Sequence, residues 1–100
     1  MPKMTFTVPY SIDQAAAIEK LKSFVPAIKQ RYGGQVSNVT EEWVGDILKF
    51  AFTTFGFTIK GDLDVQPNQV VLDGELPFAA MMFKGKIESE FKENLAKLLA

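Results

Sequence analysis

The chain has 100 residues, 47% of them hydrophobic and 23% charged, which is the size and composition of one soluble globular domain with a core of its own. A formal net charge of −1 argues against a nucleic-acid partner. With neither Cys nor His in the sequence, disulfides, thiolate nucleophiles, imidazole-based triads and ordinary zinc sites are excluded. Met1-Pro2-Lys3-Met4-Thr5 lacks the apolar core of a secretory signal, and no apolar run approaches the length of a transmembrane span, so a cytoplasmic location is expected.

Met4, Phe6 and Val8 alternate with threonines and predict a half-buried strand ended by Pro9. Ser11 with Gln14 three residues on reads as a capping box opening a helix. Ile18, Leu21, Val25, Ile28 and Tyr32 give that helix one apolar stripe, and Gly33-Gly34 stops it. Pro26 falls inside the stripe and predicts a kink or a split.

The middle of the chain reads as a meander. Gly45-Asp46 is a two-residue hairpin turn, Leu48, Phe50 and Phe52 alternate with Lys49, Ala51 and Thr53, and a second turn lies near 54–56. Phe57, Ile59, Gly61, Leu63 and Val65 resume the alternation. After the turn Gln66-Pro67-Asn68-Gln69, the residues Val70, Leu72, Gly74, Leu76 and Phe78 carry the last strand. These turns set Gly61 opposite Gly74, Asp62 opposite Asp73, Phe50 opposite Gly61 and Ile59 opposite Leu76. One face is then apolar and the other polar. The segment 86–100, with Ile87, Phe91, Leu95 and Leu98 in a stripe, predicts a second amphipathic helix. The expected fold is α+β, in the order β-α-β-β-β-β-α. A five-stranded antiparallel sheet of order 2-3-4-5-1 carries two helices on one face, like a shortened helix-grip fold.

No phosphate loop, metal-ligand spacing or nucleophile–base pair is present, so no catalytic, cofactor-binding or metal-binding residue is assigned and no enzyme is expected. Asp62, Asp64, Asp73 and Glu75 share the outer face, where Lys49 and Lys60 offset them and solvent keeps them ordinary. Glu41 shares the inward phase of Trp43, which points to an edge position or a bulge. Gly61 and Gly74 leave a dent on the covered face, beside Phe50, that is either filled by an aromatic or forms the floor of a small apolar pocket. Phe78, Met81, Met82 and Phe83 lie in the most apolar stretch and are candidate hydrophobic contacts. Strand alternation buries Phe78 and Ala80 and leaves the direction of Met81, Met82 and Phe83 open. Lys84-Gly85-Lys86 reads as a solvated basic loop ahead of the last helix.

From Gly56 through Val65, from Gly74-Glu75-Leu76-Pro77-Phe78-Ala79-Ala80, and above all in Phe83-Lys84-Gly85-Lys86-Ile87-Glu88, the sequence resembles the polyhydroxyalkanoic acid system family of small bacterial proteins. Tyr32-Gly33-Gly34 adds to the likeness, which covers most of the chain. The resemblance implies a small non-enzymatic accessory or structural protein, with a polyester granule surface or a granule-associated protein as partner, and supplies no catalytic residues. The alternative is a module that binds a small apolar ligand in a helix–sheet pocket near Gly61 and Gly74.

Overall fold

A computed structural model describes residues 3–100; Met1 and Pro2, part of the segment without signal character, lie outside them. Strand β1 (Lys3–Pro9) buries Met4, Phe6 and Val8, as the alternation requires. Helix α1 (Gln14–Leu21) starts at Asp13 rather than at Ser11, because the Asp13 carboxylate accepts from the Ala16 N–H at 2.8 Å. A charged acceptor makes the stronger cap. Gln14, the expected partner in the box, spends its amide elsewhere, donating to the Val65 carbonyl at 2.9 Å.

The apolar stripe continues into α2 (Phe24–Tyr32), and the two helices are separate. Pro26 cannot donate to the carbonyl of Lys22 and its ring crowds that group, so the break falls at Lys22 and Ser23 and leaves Pro26 in the first turn of α2. There it removes no intrahelical bond. The sheet contains β2 (Val36–Val44), β3 (Ile47–Thr54), β4 (Phe57–Gln66) and β5 (Gln69–Glu75) besides β1, all antiparallel, in the order β1-β5-β4-β3-β2. The architecture is thus α+β, and the register is the one the turns predict: Gly61 faces Gly74, Leu63 faces Leu72, Phe50 faces Gly61 and Thr53 faces Thr58.

Two elements depart from expectation. First, β5 stops at Glu75, so Ile59 and Leu76 are not ladder partners and Phe78 is not on a strand. Pro77 has no N–H to offer a neighbouring strand, and the chain turns there into a short 3₁₀ helix, Phe78–Phe83. Second, α3 (Lys84–Leu99) continues directly from that helix, so Lys84-Gly85-Lys86 is its first turn and not a loop. In β2, where an edge position or a bulge is expected, the strand lies at the sheet edge and carries a bulge between Ser37 and Thr40, with Asn38 at φ 52°.

The helices cover the apolar face. Phe24 from α2 and Phe91 from α3 meet Phe50 and Phe52 of β3, with Phe24–Phe50 edge-to-face at 5.7 Å and Phe50–Phe91 edge-to-face at 6.0 Å. Each such buried ring contributes about 1.5–3 kcal/mol relative to its exposed state. Tyr32 at the end of α2 donates to the Glu90 carboxylate of α3 at 2.7 Å, and Arg31 bonds Asn94 at 3.2 Å, which latches the two helices together. Burial, followed by that carboxylate, raises the Tyr32 phenol above its ordinary pKa.

Candidate functional site

Gly61 and Gly74 do face each other on the covered side, but the dent between them is filled. A Cβ on Gly61 would lie 2.7 Å from Cζ of Phe50, and one on Gly74 would lie 3.4 Å from the Met4 methyl. The Phe50 ring therefore needs Gly61 as its seat, held there by Phe24, Phe52 and Phe91. The depression of about 270 Å³ that Phe50 and Gly61 help to line is bordered by Glu41, Glu42, Lys49, Lys60 and Asp62, does not reach Gly74, and is not an apolar pocket. A cleft of about 400 Å³ opens instead between α2 and β2, lined by Val25, Pro26, Lys29, Gln30, Val39 and Glu41, and touches neither glycine. Glu41 keeps the inward phase of Trp43 but sits on the edge strand, where it is exposed.

On the outer face the acidic residues are dispersed among partners. Asp62 meets Lys49 at 3.5 Å, Asp73 accepts from the Thr5 hydroxyl at 2.9 Å, and Asp64 accepts from the Gln66 amide at 3.2 Å. Among the described residues no cluster of three or more carboxylates is arranged to hold a metal ion.

The chemistry that remains is at one end of the sheet. The β3–β4 turn consists of Phe55 and Gly56, with φ 51° and 81°. Positive φ at both central residues is the I′ geometry that suits a two-residue hairpin. Gly56 accepts it freely, whereas for a Phe the left-handed region is an outlier. Phe55 is also 74% exposed, so no buried contact repays that backbone. The turn is legible in the sequence, but nothing there signals that its aromatic residue stands in water.

The same end receives the chain leaving β5. Leu76 and Ala80 are fully buried and fix the 3₁₀ helix to the core. Three residues per turn then put the side chains between them on other faces. Phe78, expected inward on a strand, is 81% exposed, because the strand ends before it. Met82 is 82% exposed and Phe83 is half exposed, while Met81 packs against the core. Phe83 leans on Phe57, the residue after the turn, with ring centroids 6.4 Å apart, and so joins the two segments. Lys84 and Lys86 follow in the first turn of α3, a helix that begins at Phe83 with no side-chain cap. Neither lysine has a carboxylate partner among the described residues, nor do Lys3 and Lys60, the register partners of Glu75. Two cations at a helix N-terminus oppose its dipole, so helix stability does not account for them.

A family model described as "Putative polyhydroxyalkanoic acid system protein" matches residues 4–99. The chain belongs to that family. The apolar end, from Phe55 through the first turn of α3, lies wholly inside the match to the polyhydroxyalkanoic acid system family. No curated protein matches the chain. Among solved structures, TTHA0849 from Thermus thermophilus is similar over 98% of this chain and 94% of its own, at 13% identity and a TM-score of 0.48. No helix among the described residues is long and apolar enough to cross a membrane.

Proposed function

We propose that the protein is a non-enzymatic accessory component of the polyhydroxyalkanoic acid system and docks on the granule surface through its apolar end. The observation that carries this reading is the exposure of Phe55, Phe78 and Met82, each largely open to solvent and all at one end of the sheet. Monomeric domains rarely gather their large exposed hydrophobics in this way without a surface to meet. Covering them contributes about 25 cal/mol for each Å² removed from water, which is the driving force adsorption requires. Met82 supplies a flexible, polarizable contact suited to a surface without fixed shape. The family assignment supplies the context, and the absence of imidazole and thiol from the sequence fits a role without catalysis.

Co-sedimentation with isolated polyester granules tests it. Phe78→Ser combined with Met82→Ser removes most of the exposed apolar area without touching the core. The variant should lose co-sedimentation while its thermal midpoint stays close to that of wild type, since surface substitutions cost within about 0.5 kcal/mol. Full retention of granule binding by the double variant would discard this end as the contact.

A further inference from the structure

We infer that the surface this end engages is an anionic phospholipid layer, with Phe55, Phe78 and Met82 entering the acyl region and Lys84 and Lys86 at the level of the phosphates. The inference rests on the docking reading above and deepens it by naming the chemistry of the partner. A bare polyester presents esters and methylenes and no charge, so it accounts for the aromatic and methionine side chains but not for the lysines. The lysines are adjacent to the apolar residues in sequence and in space: Phe83, which leans on Phe57, is followed at once by Lys84. Both lysines lack a carboxylate partner among the described residues, and the nearest acid along the helix, Glu88, is already engaged by Lys92 at 3.2 Å. Lys3 and Lys60 add positive charge beside the single Glu75 in the cross-strand row nearest this end.

The opposite end of the sheet has the opposite character. Its turns and approaches carry Asp13, Asp46 and Asp64, with no Lys or Arg in residues 10–14, 44–47 or 64–70. The turns and strand ends are thus acidic at one end of the sheet and basic at the apolar one. Such a difference favours one orientation of the sheet at a negatively charged interface before any apolar contact forms. Gly85, between the two lysines, has open space where a Cβ would stand, so a phosphate can approach the backbone of that turn closely. Exposed aromatics with flanking lysines are the composition of an interfacial anchor.

Flotation separates this inference from the granule reading. The intact protein is incubated with vesicles of phosphatidylcholine alone, with vesicles of phosphatidylcholine and phosphatidylglycerol, and with lipid-free polyester particles. The inference expects binding to the phosphatidylglycerol vesicles, weak binding to phosphatidylcholine, and release as salt rises. Lys84→Gln with Lys86→Gln should lower the partition to anionic vesicles roughly thirtyfold. Phe55→Ser should lower it as well, and neither change should lower the thermal midpoint. Binding to anionic vesicles but not to polyester upholds the inference and overturns direct granule contact. Equal binding to both vesicle types, or binding to lipid-free polyester that ignores the lysine substitutions, overturns the inference and leaves the docking reading standing. No binding to any of the three overturns both.

Discussion

The two ends of the sheet are built from the same device, a two-residue hairpin, and finished in opposite ways. At one end the turn between β2 and β3 places Gly45 at φ 60° and exposes Asp46. Around it polar groups close on one another. The Tyr10 hydroxyl donates to the Gln66 carbonyl, its N–H donates to the Asn68 carbonyl at 3.1 Å, and Gln14 reaches both Val65 and Asp46. Burial, with Asp13 and Asp46 nearby, raises the Tyr10 phenol above its ordinary pKa. At the other end the turn between β3 and β4 places Phe55 where Asn or Gly is favoured, and no side chain of residues 76–87 makes a hydrogen bond or ion pair among the described residues. One end is satisfied by its own contacts. The other presents apolar area, and cations that no carboxylate among the described residues pairs. A difference of this kind between equivalent positions of one sheet is the ground on which the docking proposal stands.

The comparison breaks most easily at its footing. The apolar end is held to the core by Leu76 and Ala80, so Leu76→Ala should cost about 2–5 kcal/mol by removing a fully buried side chain and leaving a cavity. Urea unfolding gives the cost, and hydrogen exchange should show protection lost first in Phe78–Phe83. A loss below about 1 kcal/mol would mean the segment is seated by something other than Leu76. At the polar end the comparable support is the cap of α1. Asp13→Ala should cost about 1 kcal/mol, up to 2, and lower the thermal midpoint while leaving adsorption to any surface unchanged. If adsorption fell with it, the two ends would not be independent.

Most of the architecture is legible in the sequence because period and turns agree. Three turns of fixed length and one alternation leave a single register in which Gly61 meets Gly74 and the charged residues of β3, β4 and β5 face outward. Sequence reasoning fails where local competition decides between close alternatives. Asp13 outcompetes Ser11 two residues away because ionisation strengthens its hydrogen bond. The alternation of Val70, Leu72, Gly74, Leu76 and Phe78 runs smoothly past the end of β5, since a 3₁₀ turn that buries residues 76 and 80 leaves nearly the same early signature as a strand. Alternation therefore turns Phe78 inward, whereas the end of β5 before it leaves the ring 81% exposed. The dent at the glycines is visible in the register, but which ring fills it depends on packing across β3, α2 and α3 that no single segment records. Phe55 leaves no mark at all. A Phe before Gly in a short turn carries a positive-φ requirement that propensity alone places on neither residue.

Phe55 therefore offers the finest test of the contrast between the ends. Replacing it by Asn gives the Asn-Gly pair that the I′ turn prefers, since Asn enters the left-handed region at lower cost than Phe. The ring is 74% exposed, so its removal forfeits little burial. Phe55→Asn should accordingly stabilise the fold by about 0.5–1 kcal/mol, read as a higher midpoint in urea with an unchanged slope. If the apolar end is the docking surface, the same variant should adsorb less, because its tip has lost its aromatic. Stability and adsorption moving in opposite directions would identify Phe55 as a residue kept for contact at the expense of its own turn. If the substitution instead destabilises the protein, the ring is packing against its neighbours, and the apolar end would have to be understood as part of the structure rather than as its exposed working surface.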